Sequence, residues 1–239
     1  MTMPVQSAIQ IRPCESYGDV HHCVDLQRRI WGFADEDLVP GHIFAVAHMS
    51  GGLIYLAFDG EAPIGFALAF LAEHQGERYL HSHMVGVLPE YQNQGFGRLI
   101  KLRQREDALR SGVKRIEWTF DPLESCNAYF NIARLGAIVR RYIRDCYGDS
   151  TSVLHRGLPT DRLVAEWHLD SPRVHAAIAG HPLTCGNDAV AVAVPAKRNS
   201  DGQADLRARI TGLFTIGHAI TGFSRQSGSS AYLLEPYED

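Results

Sequence analysis

Residues 79–110 constrain the fold of this chain more than any other stretch. An alternating apolar run, Tyr79 to Leu88, passes through Pro-Glu-Tyr-Gln-Asn-Gln into Gly95-Phe96-Gly97 and then into a basic amphipathic run that Ser111-Gly112 stops. Alternation giving way to a period of about 3.6 is the pattern of a strand feeding a helix, here expected from Gly97 to Arg110. The first N–H groups of a helix have no intrahelical partner and carry partial positive charge, so they hold an anion wherever side chains do not block the approach. Gly95 and Gly97 remove those side chains, Gln92, Asn93 and Gln94 add neutral polarity, and Arg98 and Lys101 add positive charge. The loop is built like a pyrophosphate cradle. It is not the dinucleotide fingerprint, because Ile100 stands where the third glycine belongs, and no Lys-Ser/Thr pair makes it a P-loop.

The elements around it predict an α+β domain. Ala8 to Arg12 alternates as a strand, and Ser16 to Asp19 supplies cap residues for a helix ending near Trp31. A second helix, Ile43 to Met49, stops at Gly51-Gly52, and Leu53 to Phe58 and Pro63 to Leu71 form a hairpin around Asp59-Gly60. After the cradle come a strand from Lys114 to Phe120, a helix from Ser125 to Leu135 ended by Gly136, and strands Ala137 to Tyr147 and Arg162 to Asp170. Beyond Pro172 the composition loosens. The apolar strand Ala189 to Val194, a helix from Ala204 to about Ile216 and a hairpin, Ala219 to Arg225 with Ala231 to Leu234, predict a small αβ lobe over 180–239, packed on a main domain over 1–175. Two stretches echo each other: "ARLGAIVRRYIRD" and "FTIGHAITGFSR" both run from helix end through Gly into an alternating strand. Turn chemistry alone accounts for that equally well.

Bulk composition removes several classes of function. With 239 residues, 45% hydrophobic, the chain can bury a full core, and a net charge of -4 disfavours a polyanion binder, so no nucleic-acid partner is expected. No apolar stretch approaches the roughly 20 residues of a membrane span, and the N-terminus shows no basic start followed by a hydrophobic run, so the cytoplasm is the expected location. The five cysteines contain no C-x-x-C pair and read as reduced thiols. Adjacent His21-His22-Cys23 point in different directions on a helix, so no metal site is expected.

At Gln92-Asn-Gln-Gly95-Phe-Gly97 the sequence resembles the GNAT superfamily of acyl-CoA-dependent N-acyltransferases, whose signature is [RQ]-x-x-G-x-[GA] between the fourth strand and the third helix. The likeness runs from about Ile9 to Asp170, and Asn127-Ala-Tyr-Phe-Asn-Ile-Ala-Arg-Leu-Gly136 is similar to the family's second motif. The stretches "HSHMVGVLPEYQ", "WTFDPLES" and "RGLPTDR" are similar to an uncharacterised bacterial branch of predicted GNAT acetyltransferases with a C-terminal extension. The resemblance implies a mixed, mostly antiparallel twisted sheet flanked by helices. It also implies that acetyl-CoA or another acyl-CoA binds with its pyrophosphate on the backbone of Gln92, Asn93, Gln94, Gly95, Phe96, Gly97 and Arg98. The pantetheine would lie along Val85 and Val87, where the family's fourth and fifth strands splay, and Asn127 would be a further contact.

Acyl transfer to an amine needs a base, because an alkyl amine near pKa 10 is mostly protonated at neutrality. His81 stands where several family members carry a catalytic glutamate, and strict alternation puts His81 and His83 on one face with Val85 and Val87. Either histidine can also be a packed strand residue. Glu117 and Asp121 are the next candidates. Ile132 replaces the tyrosine that many members use to protonate the departing thiolate, and Tyr129, Tyr142 and Tyr147 are the nearby alternatives. Arg140, Arg141, Arg144 and Arg162 suit a carboxylate on the acceptor, or else a solvated basic edge. Two classes of function remain open: an N-acyltransferase moving acetyl, or a larger group such as succinyl, to a small-molecule amine; and a non-catalytic acyl-CoA-binding module. A homodimer is compatible with either.

Overall fold

The computed structural model describes residues 9–148, 157–226 and 228–238. The residues read for a leader (1–8), Arg156 of "RGLPTDR" and Ser227 of the last turn lie outside them. The chain divides into two compact units between Val113 and Lys114. The sequence boundary near 175–180 thus falls inside the second unit, which runs on to the C-terminus.

The first unit contains β1 (Ile9–Pro13), α1 (Tyr17–Trp31), α2 (Gly41–Met49), β2 (Leu53–Asp59), β3 (Ala62–His74), β4 (Glu77–Val87) and α3 (Phe96–Arg110). Ser16 caps α1 in a capping box with Asp19, whose carboxylate also takes both arms of Arg12 at 2.7 and 2.9 Å. Those donors hold the Asp19 carboxyl far below the usual carboxylate range. The strands form an antiparallel sheet in the order β1-β2-β3-β4. Cross-strand partners share a face. Phe66 meets Trp31 of α1 and Phe44 of α2, with ring centroids 5.7 and 6.2 Å away, so α1 and α2 cover its face. The Tyr55 hydroxyl donates to Asp107 of α3, so α3 covers the other. Leu26, Phe44, Leu56, Phe66, Leu68 and Ile100 are buried between these layers. A Cβ on Gly86 of β4 would sit 2.7 Å from the Trp31 ring, so only glycine lets α1 close on the sheet.

The second unit contains β5 (Arg115–Phe120), α4 (Ser125–Ala128) continued by a π-helical turn (Tyr129–Arg134), β6 (Ile138–Ile143), β7 (Arg162–His168), α5 (Pro172–Ile178), β8 (Val190–Ala193), α6 (Ser200–Thr215), β9 (His218–Gln226) and β10 (Ser229–Pro236). Its strand order is β5-β7-β6-β9-β10-β8. Trp167 is fully buried, meets Trp118 edge-on at 5.9 Å and donates its indole N–H to the Leu135 carbonyl at 2.7 Å. Two readings change here. The helix expected as one piece from Ser125 to Leu135 widens into the π turn after Ala128, and α5 was not foreseen.

Candidate active site

The glycine loop takes the expected form. Leu88 hands β4 to a short 3-10 turn (Pro89–Tyr91), and Gly95, at φ 89, caps α3 with no side-chain bond to the helix amides. That left-handed conformation favours glycine, which meets no Cβ penalty there. Gln92 donates its side-chain amide to the Val87 carbonyl at 3.0 Å, and Gln94 donates to the Glu90 carbonyl at 2.9 Å, so both brace the loop. Tyr91 ties it to Asp59 of the β2–β3 turn at 3.0 Å. Gly97 has ordinary backbone angles, and a Cβ built on it meets no heavy atom within 4 Å. Nothing in the protein's own packing calls for glycine there. Arg98 is half-buried on the first turn of the helix.

Lys101 departs from the reading that placed it on a phosphate. Its side chain is buried, donates to Ser82 of β4 at 2.9 Å, and has its pKa pushed well below the ordinary lysine value by burial. A helix that packs on a sheet buries whichever residues face it, and this position faces β4.

The histidines also differ from the expected geometry. The β3–β4 register shifts between Leu68 and Ala69, leaving His83 as the extra residue of a bulge. Phe66, Leu68 and Phe70 face Gly86, Met84 and His81, whereas Ala67 and Ala69 face Val85 and Ser82. His81 therefore lies on the α1/α2 face, opposite Val85. The His81 and His83 rings are 6.1 Å apart, and Phe70 flanks His83 at 5.7 Å. Both histidines are half-buried. Burial, with His81 as a second cause, lowers the His83 pKa below the usual 6.5.

In the second unit, Glu117 is buried and engaged: Arg141 donates to it at 2.5 Å, and Arg115 lies 3.2 Å away. Glu166, directly across from Glu117, takes Arg140 at 2.6 Å. Arg140 and Arg141 thus turn their forks to internal carboxylates, and the Arg162 guanidinium lies 5.2 Å over the Tyr147 ring. Asn127 is exposed on α4, and Ile132 is fully buried. Tyr142 donates to Asp161 at 2.7 Å, and the Tyr147 hydroxyl lies 2.7 Å from that of Thr119. Among the described residues there is no group of three or more His, Cys, Asp or Glu that could hold a metal ion, and no helix long and apolar enough to cross a membrane.

Residues 20–131 match the model of the Acetyltransferase (GNAT) family. Among curated proteins, no sequence matches the chain. Among solved structures, the ribosomal-protein-S18-alanine N-acetyltransferase from Escherichia coli superposes with a TM-score of 0.55 at 15% identity, covering 69% of this chain and 96% of its own. The putative acetyltransferase yncA from Salmonella typhimurium, solved with acetyl-CoA, gives 0.53 at 15% identity over 69% and 96%. Naa50 from Arabidopsis thaliana, in complex with the bisubstrate analogue CoA-Ac-MVNAL, gives 0.51 at 13% identity over 66% and 97%. These likenesses establish the fold. Over residues 20–131, just under half of the chain, the sequence is similar to the acetyltransferase domain of the GNAT family.

Proposed function

We propose that this chain moves an acyl group, acetyl before succinyl, from coenzyme A to the amine of a small molecule. The observation that carries the reading is Gly97. Gly97 stands in the first turn of α3 with ordinary helical backbone, yet nothing within 4 Å of its missing Cβ requires glycine there. A helix start stripped of side chains is what a pyrophosphate needs. The backbone from Gln92 to Arg98 would hold that group, Val85 and Val87 would flank the pantetheine, and Asn127 would add a contact. The coenzyme supplies the acyl group as a thioester.

His81 takes the proton of the acceptor amine, with His83 beside it. Two imidazoles this close resist double protonation, and the lowered His83 pKa keeps that ring neutral at pH 7. A neutral imidazole next to the acceptor amine is a competent base. Glu117, held between Arg115 and Arg141, serves the local charge balance. With Ile132 apolar and Tyr142 committed to Asp161, the thiolate leaves without a dedicated acid from these two positions.

Thiol release from acetyl-CoA and succinyl-CoA against a panel of small amines and short peptides tests this reading. Amine-dependent release with small acceptors supports it. A preference for peptide amino termini would move the acceptor to proteins, and coenzyme A binding without turnover on any amine would make the chain a binding module.

A further inference from the structure

The second unit repeats itself. From β5 the chain runs strand, helix, strand, strand, with the last strand seated between the other two as β5-β7-β6. From β8 it does so again, through α6, β9 and β10, seated as β9-β10-β8. The order β5-β7-β6-β9-β10-β8 therefore has the same pattern from either end.

The register is stricter than the order. Gly136 and Gly217 both end a helical segment at φ 79 and both precede the first strand of a hairpin. Aligning the repeats on these glycines makes Val139 and Ile220 equivalent, and those two residues face each other across β6 and β9. A local twofold axis demands that pairing, since a residue at the axis faces its own equivalent. The next shell agrees. Ile138 faces Glu166 of β7, and its equivalent Ala219 faces Glu235 of β10. Arg140 donates to Glu166 at 2.6 Å, and its equivalent Thr221 donates to Glu235 at 2.5 Å. Each helical segment reaches the other repeat: α6 packs on β6 as well as on its own β9 and β8, and the π turn packs on β9.

We infer that residues 190–236 are a second strand-helix-strand-strand half-domain, standing against the first as the partner subunit of a symmetric dimer would, and that Arg198 is a positioning residue for the turn that starts α4. Arg198 lies in the turn between β8 and α6. Its guanidinium reaches Asp121 Oδ2 at 2.6 Å with one arm and Glu124 Oε1 with the other. Tyr232 of β10, fully buried, donates to the Pro122 carbonyl at 2.8 Å. Asp121 Oδ1 accepts from the Leu123 amide at 2.8 Å, and the Glu124 carbonyl accepts from the Ala128 amide at 2.9 Å. The second half-domain thus grips Asp121-Pro122-Leu123-Glu124, and Asn127 follows on the next turn. A forked cation spanning two carboxylates fixes geometry as well as charge. The catalytic consequence rests on the reading that the start of α4 touches coenzyme A.

Hydrogen exchange on the full chain tests the clamp without reference to activity. In Arg198→Ala, amides from Leu123 to Ala128 should exchange about tenfold faster, the effect of losing a charge-assisted contact, while β7 amides keep their rates. Arg198→Lys should fall between, because a point charge cannot fork. The KM for acetyl-CoA should rise in Arg198→Ala by more than kcat falls. Unchanged exchange at Leu123 to Ala128 overturns the clamp. Faster exchange with unchanged KM overturns its role in positioning. Wild-type protein that binds no coenzyme A would fail the functional reading instead, and the exchange rates would then decide the clamp alone.

Discussion

Lys101 Nζ donates to Ser82 Oγ at 2.9 Å, and the same hydroxyl donates to Gln104 Oε1 at 3.2 Å, so a buried chain of polar groups joins α3 to β4 on the face opposite His81. Burial lowers the Lys101 pKa well below 10.5, so the folded chain binds that proton less readily than the unfolded chain. The unfolded state then holds more protons between the lowered value and 10.5, and this contribution to stability rises with pH across that window. Urea midpoints of wild type should climb as pH rises through that window towards 10.5. Lys101→Met should lose that slope and keep the coenzyme A affinity of wild type, which separates Lys101 from Arg98.

His81→Ala should lower kcat by about 10²–10⁴-fold, the usual contribution of a positioned base, with coenzyme A binding intact. The acid limb of kcat/KM seen in wild type should be lost in His81→Ala. His83 also shapes stability. With its folded pKa below 6.5, the unfolded state binds more protons between the two values, so its contribution falls as pH drops through that window. Melting of His83→Gln at pH 5 and pH 8 should differ by less than melting of wild type.

Glu117→Gln separates a structural carboxylate from a catalytic one. The residue is buried, and both oxygens meet guanidinium groups, so neutralising it leaves Arg115 and Arg141 poorly compensated beside Glu166. Removing one member of a buried pair costs about 3–5 kcal/mol, reduced here because Arg141 is half exposed. The variant should melt earlier and keep kcat within about tenfold of wild type, below the loss expected for a general base. A larger loss of kcat with an unchanged melting temperature would transfer the role of base to Glu117.

The residues that spoke most clearly in the sequence were those whose local chemistry decides their conformation. Asp59-Gly60 made its hairpin, Ser16 its cap, and Gln92 to Gly97 a strand-to-helix loop with a left-handed glycine. The two histidines were legible as residues but not as a geometry, since the bulge at His83 inserts one residue without any residue type marking it. Lys101 read as surface charge because composition does not say which side of α3 meets the sheet. Pro172 was taken as a break, although Ser171 caps and Pro172 opens α5, where a missing N–H costs nothing. The glycine echo at Gly136 and Gly217 was visible too, but only the pairing of Val139 with Ile220 turns it from turn chemistry into symmetry.

The account rests most directly on coenzyme A at the start of α3, and calorimetry with Gly97→Val tests that alone. A side chain at this position meets no protein atom within 4 Å, and valine is a better helix residue than glycine, so the variant should melt at or above the wild-type temperature. Its affinity for coenzyme A should fall at least about tenfold, roughly 1.4 kcal/mol, because the added carbons occupy the space the pyrophosphate needs. Coenzyme A bound equally well by the stable variant and by wild type would contradict the claim.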